Sequence, residues 1–147
     1  MKFNGRKALA IGLAAATAAV ILTQPASATL GQLLGDWKNV NPSTRDIVRI
    51  MITDTGGGIE VHVWGACSPT PCDWGTRQAI PYAPNVSEPL PADAQYLEAD
   101  FPQSFAQVKV IIGPAAGPGG ELRAISLTRF TDNSGRSNDV NTDMFKK

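Results

Sequence analysis

The chain has 147 residues and equal numbers of basic and acidic side chains, 13 of each, so its formal net charge is zero. Once a predicted N-terminal signal is removed, the length is that of one domain large enough to bury a real core. The charge balance argues against nucleic acid as a partner, because nucleic-acid binding needs a clustered basic face.

Residues 1–28 have the pattern of a secretory signal peptide. A basic start is followed by the uncharged run Ala8–Leu22 and by the cleavage motif Ala26-Ser27-Ala28. An uncleaved anchor is the alternative, but a spanning helix needs ~20 apolar residues. Cleavage leaves residues 29–147, with 10 basic and 13 acidic side chains and a formal net charge of −3. We predict an exported bacterial protein, extracellular or in the cell envelope, with no membrane span after cleavage.

The mature region alternates apolar and polar residues almost throughout, which is the period of β-strands. In the segment Asp46–Thr53 one face carries Val48, Ile50 and Ile52, and the turn 54–58 leads into a second alternating run, so a β-hairpin is predicted. The predicted strands are, in chain order, Trp37–Val40, Asp46–Thr53, Ile59–Trp64, Trp74–Ile80, Tyr96–Phe101, Phe105–Ile112, Leu122–Phe130 and Val140–Phe145.

The predicted connections are short, with one exception. Four prolines between Pro81 and Ala94 predict a long crossing loop, whereas turns are predicted at 113–120 and 131–135, and Leu30–Leu34 forms one helical turn at most. The pattern predicts an all-β protein, a seven- to eight-stranded antiparallel meander closed into a barrel, because closure removes exposed sheet edges. A two-sheet β-sandwich is the alternative.

Both cysteines lie in one short segment between two predicted strands. Cys67 and Cys72 enclose only Ser-Pro-Thr-Pro, and two cysteines in an exported chain favour a disulfide. Pro69 and Pro71 restrict the same loop further, because each fixes its own φ. We predict a stapled loop whose shape is held by two independent devices.

Near the start of the predicted mature chain, Gly35-Asp36-Trp37 resembles the Gly-x-Trp opening of lipocalins and related calycin barrels. The resemblance implies a calycin-like barrel in which Trp37 closes one end. It also implies that the tryptophan packs against a late arginine, for which Arg129 and Arg136 are the candidates.

A longer pattern is similar to a group of small secreted bacterial domains of unassigned activity. It comprises the run Trp37–Arg45, the motif Trp64-Gly65-x-Cys67-x-Pro69-x-x-Cys72-Asp73-Trp74-Gly75, Phe130-Thr131-Asp132-x-Ser134-Gly135-Arg136, and Met144-Phe145. Members of that group have glycine where this chain has Asp46. The resemblance supports the barrel and the disulfide, and it implies no particular activity.

Catalytic and metal sites are poorly supported by the sequence. His62 is the one histidine, and oxidised cysteines offer no thiolate to a metal, so no metal site and no cofactor are predicted. A triad of His62 with Asp73 and Ser68 is conceivable near the stapled loop, but the spacing does not require it. Because no acid, base and nucleophile are assembled, we predict a non-catalytic protein.

Trp64, Asp73, Trp74 and Arg77 are the predicted binding residues, because aromatic rings beside charged groups are typical of recognition surfaces. The structural alternative is that the two tryptophans only cover the disulfide and the barrel rim. The predicted function is binding, either of a small molecule in the barrel mouth or of an extracellular protein met by the stapled loop. The alternatives are an inhibitor of an extracellular protease and, second, a small hydrolase using His62.

Overall fold

The computed structural model describes residues 29–116 and 119–147, so the predicted signal peptide lies outside the described residues. One short helix, α1, precedes eight strands. In chain order the elements are α1 (Leu30–Leu33), β1 (Gly35–Asn39), β2 (Ile47–Asp54), β3 (Ile59–Gly65), β4 (Cys72–Tyr82), β5 (Tyr96–Pro102), β6 (Ala106–Pro114), β7 (Leu122–Phe130) and β8 (Asp139–Lys146).

Each strand pairs antiparallel with the next one in sequence, and β1 pairs with β8 to close the ring. The closing seam is short, with Lys38 opposite Lys146 and Asn39 opposite Phe145. The predicted all-β antiparallel meander barrel is therefore confirmed, with eight strands, and the chain is not a two-sheet sandwich. In such a meander, alternate connections lie at the same end, so the stapled loop between β3 and β4 lies opposite the end from which α1 enters.

Strand β4 is longer than predicted and is paired unevenly. It includes Pro81 and Tyr82, and the crossing loop therefore begins only after Tyr82. Its contact with β5 covers three registered pairs, from Ile80–Glu98 to Tyr82–Tyr96. Toward the stapled loop the two strands have no registered pairs. We call this unpaired stretch, between residues 74–79 of β4 and residues 99–102 of β5, the notch.

The barrel interior is filled by its own side chains. Inward-facing residues of α1 and of every strand except β4 join in one hydrophobic cluster, in which Ile50, Val61, Val63, Val110 and Phe145 have no exposed area, and β4 packs against it through the half-buried Trp74 and Ala79. An eight-stranded barrel has an interior just wide enough for side chains to fill it. The other buried members are Leu30, Leu33, Trp37, Ile47, Ile52, Ile59, Ala94, Leu97, Ala99, Phe101, Ala106, Val108, Ile112, Leu122 and Ala124.

The end of the barrel nearest α1 is closed by Trp37. Its indole Nε1 donates a hydrogen bond of 2.8 Å to the Leu33 carbonyl oxygen, which ties β1 to the helix. The helix is tied in turn to the crossing loop by Leu30 N donating to the Ala92 carbonyl at 3.2 Å. Lys147 completes the closure, with its ammonium 4.8 Å from the centre of the Trp37 ring.

The expectation that Arg129 or Arg136 packs on Trp37 is therefore wrong, because Lys147 holds that place. Arg129 lines an outer groove on β7 instead. Arg136 lies over the Phe130 ring at 3.9 Å and binds Asp132 at 2.6 Å, at the opposite end of the barrel. There the Ser134 hydroxyl and amide, with Arg136, lower the pKa of Asp132 to about 2.

A β-bulge changes the predicted faces of β2. Ile47 lies opposite Gly65 and Arg49 lies opposite Trp64, so Val48 is the extra residue. As a result Ile47 is buried with Ile50 in the core, and the predicted assignment of Val48 to that same face is wrong.

A group of polar side chains lies beside β7 and β8, next to the start of β2. Ser126 is 2% exposed and donates a hydrogen bond to the half-buried Asp46 carboxylate. Asp143 shares this region and accepts a hydrogen bond of 3.1 Å from Thr44. Burial raises the pKa of Asp46, and the nearby carboxylates of Asp143 and Asp139 raise it further.

Asp46→Asn should therefore raise the free energy of unfolding at neutral pH by about 1 kcal/mol, within the usual range for stabilising substitutions. The folded pKa of Asp46 lies above its ordinary value of 3.8, so the folded state binds this proton more tightly than the unfolded state does. The stability from Asp46 is complete below pH 3.8 and is lost as the pH rises through the raised pKa.

Asparagine does not titrate, so the gain should be small at acid pH and should grow to a plateau toward neutral pH. Urea denaturation of both proteins across that pH range measures it. A difference that is independent of pH, or a loss of stability at neutral pH, would contradict this prediction.

Candidate interaction surface

The stapled loop connects β3 to β4 and projects from the barrel. The predicted disulfide between Cys67 and Cys72 is present, with the two Cα atoms 5.4 Å apart. Residues 67–73 are all exposed. The bridge closes a ring of so few residues that it fixes the shape of this loop more than it stabilises the fold.

A second β-bulge lies directly beside the loop, in β4. Val63 is opposite Gly75 but Trp64 is opposite Asp73, so Trp74 is the extra residue. The bulge shifts the alternation of faces by one residue, and Gly75 takes a φ of +83° at this point. Asp73 and Thr76 consequently face outward together, although they are three residues apart.

Both of these side chains contact His62, which faces outward on β3. His62 Nε2 lies 2.6 Å from Asp73 Oδ1, and His62 Nδ1 lies 3.0 Å from the Thr76 hydroxyl. With a proton on Nε2, the ring donates to Asp73 and accepts from Thr76. Asp73 also accepts a hydrogen bond of 2.7 Å from the amide of Gly75, so the bulge itself positions the carboxylate.

His62 is stacked on Trp64, and this contact extends the network across β2. The two rings are 3.8 Å apart between centres and inclined by only 6°. The Arg49 guanidinium lies 4.4 Å from the centre of the Trp64 ring, in cation–π contact. We call Arg49, Trp64 and His62 the outer stack.

The outer stack is held at each end by a carboxylate. Asp36 on β1 accepts two hydrogen bonds from Arg49, of 2.7 and 2.9 Å, in a bidentate pair. Asp73 on β4 holds the other end through His62. The hydrogen bond from Arg49 lowers the pKa of Asp36, and the Gly75 amide followed by His62 lowers the pKa of Asp73. Asp36, the outer stack and Asp73 thus form one row of contacting side chains across β1, β2, β3 and β4. The lowered pKa values favour the charged form of the carboxylate at each end of this row.

The structure separates the four predicted binding residues. Trp64 and Asp73 share the outer face of the barrel, where both contact His62. Trp74 is half-buried and packs against the core, with its ring 6.1 Å from that of Phe101 and its indole against Gly65. Arg77 is opposite the inward-facing Val61, is half-buried, and donates a hydrogen bond of 2.9 Å to the Thr76 carbonyl.

The Thr76–His62–Asp73 chain contains the groups of a general-base arrangement, with threonine in place of the predicted Ser68. Catalysis would also require oxyanion donors and a site that excludes water. The side chains of His62 and Asp73 are 27% and 58% exposed, so this group lies at the open surface. Its geometry serves better to fix the position of a ring than to activate a nucleophile.

Within the described parts of the chain, no three histidine, cysteine or acidic side chains are grouped so that they could hold a metal ion. In the same residues no helix has the length and the apolar character needed to cross a membrane. Comparison with protein-family models, with curated proteins and with solved structures finds no match.

Sequence reasoning did not identify Arg49, Asp36 and Thr76 as parts of this surface. Simple alternation places Thr76 on the opposite face from Asp73, and only the bulge reverses this. Gly75 after an aromatic residue inside a strand is the signal that points to a bulge. The pairing of Asp36 with Arg49 depends on the register of β1 with β2, in which Lys38 and not Asp36 lies opposite Arg49.

Proposed function

We propose that this protein is a secreted, non-catalytic binding protein that recognises the surface of another extracellular protein. The contact surface consists of the stapled loop, residues 67–72, and the outer stack beside it. The observation that carries this proposal is the filled interior, in which buried side chains from seven strands form one core and the half-buried Trp74 and Ala79 of β4 pack against it. A small ligand in the barrel mouth is less well supported, because that interior is occupied by the core of the protein itself.

The physical basis of recognition is that this surface is ordered before binding. The loop is fixed by the disulfide between Cys67 and Cys72, and the Trp64 ring is held between the contacts of Arg49 and His62. A surface that is already ordered loses little conformational entropy on association. Tryptophan and arginine are also the residues most enriched at the energetic centres of interfaces.

Two features that indicate export also support this proposal. An exposed disulfide persists in oxidising compartments and is rare in the cytosol. The N-terminal signal pattern supplies the route, and the resemblance to small secreted bacterial domains points in the same direction. These features support secretion independently of the binding surface.

The proposal is tested by site-specific photocrosslinking followed by affinity measurement. A photoreactive residue at Thr70, in the stapled loop, should crosslink a discrete extracellular protein. The same residue at Val86, in the crossing loop at the other end of the barrel, is the matched control, because both positions are exposed. The captured protein is then purified and its affinity for variants is measured.

Trp64→Ala should weaken binding at least about 30-fold, as expected for a residue at the centre of an interface. The double variant Cys67→Ser/Cys72→Ser should weaken it about tenfold, since the loop must then be ordered on binding. Val86→Ala should bind like the native protein. Crosslinking only from Val86, or equal affinity of the Trp64→Ala variant, would refute the proposal.

Two outcomes of this experiment would favour the alternatives. If the captured protein is a protease that the native chain inhibits and the double cysteine variant does not, the protein is an inhibitor acting through the stapled loop. Hydrolysis is favoured by one observation, the contacts of His62 with Asp73 and Thr76. It requires turnover that is lost in both His62→Ala and Thr76→Val while the thermal melt stays unchanged.

A further inference from the structure

A second surface lies on the far side of the notch, across the outer faces of β5 to β8. A groove of about 620 Å³ is lined by Asp100 and Pro102 of β5, Gln107 and Lys109 of β6, Leu127 and Arg129 of β7, and Arg77. A second groove of about 310 Å³ shares Leu127 and Arg129 with the first and continues to Val140 on β8. The two form one continuous outer groove.

The outer groove crosses the strands and does not follow them. It extends from Arg77 on β4 to Val140 on β8, which is four strand spacings or about 19 Å. That length matches about six residues of extended polypeptide. Its volume lies within the range of ligand sites, but its shape is long and open.

Charge selects the kind of partner. Lys109 is already paired, with the Glu98 and Asp100 carboxylates. Among the described residues, neither Arg77 nor Arg129 has a carboxylate within ion-pair distance, although both line the same groove. Asp100 and Asp139 also line the grooves, but the two guanidiniums form no ion pair with them, and free guanidiniums are complementary to carboxylates supplied from outside.

Exposed apolar side chains in the groove indicate a second property of the partner. Leu127 is 40% exposed and Val140 is 59% exposed, and they lie directly opposite each other on β7 and β8. An inorganic anion would use the two arginines but would leave this apolar pair in water. A partner with carboxylates next to apolar side chains would use both features.

We infer that the outer groove binds an extended, acidic and apolar peptide segment of a protein partner, with carboxylates at Arg77 and Arg129 and an apolar side chain on Leu127 and Val140. This surface is separate from the stapled loop and the outer stack. It adds a second contact to the proposed function and does not depend on it. Its loss and the loss of binding by the stapled loop are distinguishable, because different residues carry the two.

The experiment selects random dodecapeptides displayed on phage against the immobilised protein. The enriched peptides should contain Asp or Glu next to Leu, Ile, Val or Phe. In fluorescence anisotropy, the synthetic forms should bind the native protein saturably. They should lose at least tenfold in affinity toward the double variant Arg77→Gln/Arg129→Gln, and their binding should weaken in high salt.

Arg123→Gln is the matched control, since Arg123 also lies on β7 but does not line the groove. If the double variant does not fold, the exposed single variant Arg129→Gln takes its place. The inference is overturned if no peptides are enriched, if the enriched peptides are not acidic, or if the arginine variants bind them equally. It is also overturned if inorganic sulfate displaces them fully at low millimolar concentration, because the site would then be a simple anion site.

Discussion

Replacing Trp37 with alanine should lower the free energy of unfolding by about 3–5 kcal/mol, the usual cost of removing a buried large aromatic side chain. Trp37 is 2% exposed and is the side chain on which one end of the barrel closes. The substitution removes the hydrogen bond to the Leu33 carbonyl and the ring beneath Lys147. It thereby releases α1 and leaves a cavity where the helix meets β1.

Thermal and urea denaturation followed by circular dichroism measure this loss. The melting temperature should fall by roughly 10–20 °C for a domain of this size. Val86→Ala is the control, because Val86 is fully exposed in the crossing loop and its truncation should leave the melt unchanged. A loss below about 1 kcal/mol for Trp37→Ala would mean that this end of the barrel is not closed by the tryptophan.

Gly65→Ala should cost about 3 kcal/mol, at the upper end of the range for overpacking a filled core. A Cβ at Gly65 would lie less than 3.0 Å from three atoms of the Trp74 indole. The ring has little freedom to move away, because it packs against the core and lies near Phe101. The methyl group must therefore displace the Trp74 ring from its position against the core.

The displacement should appear as a red shift of the tryptophan emission together with the lower stability. Gly31→Ala is the matched control, since a Cβ there meets nothing within 4 Å and the position is helical. It should leave stability unchanged or raise it slightly, because alanine has the higher helix propensity. Equal stabilities of the two variants would show that Trp74 does not pack on Gly65.

Strand positions were predictable because alternation is a local property of the sequence. All eight strands were expected within two residues of their bounds, and the bounds of β7, Leu122–Phe130, were expected without error. The choice between a barrel and a sandwich was not local in this sense. It depends on whether β1 reaches β8, and that pairing covers only Lys38 and Asn39.

The candidate site was predictable only in part, because two bulges decide it. A bulge adds one residue to a strand and exchanges its faces from that point on. In β2 this exchanges Val48 for Ile47 in the core, and in β4 it brings Thr76 to His62. Trp64 and Asp73 were identified from their residue types and their place beside the two cysteines. Arg49 could be placed next to them only once the register of β2 with β3 was known.

The closing contact on Trp37 shows a related limit. A late arginine, Arg129 or Arg136, was expected there from the resemblance to calycin barrels, and neither makes the contact. The residue on Trp37 is Lys147, which directly follows β8, the strand that pairs with β1. Position relative to the closing seam therefore decides this contact, and the seam could not be located from the sequence.

The most direct test is a nuclear Overhauser measurement across the closing seam of the protein in solution. A closed barrel predicts cross-strand contacts between the backbones of Asn39 and Phe145 and of Lys38 and Lys146, with slow amide exchange along the seam. Absence of these contacts, with rapid exchange at the same amides, would mean an open sheet with two free edges. The interior would then not be sealed by its own strands, and recognition would no longer be restricted to the outer surface.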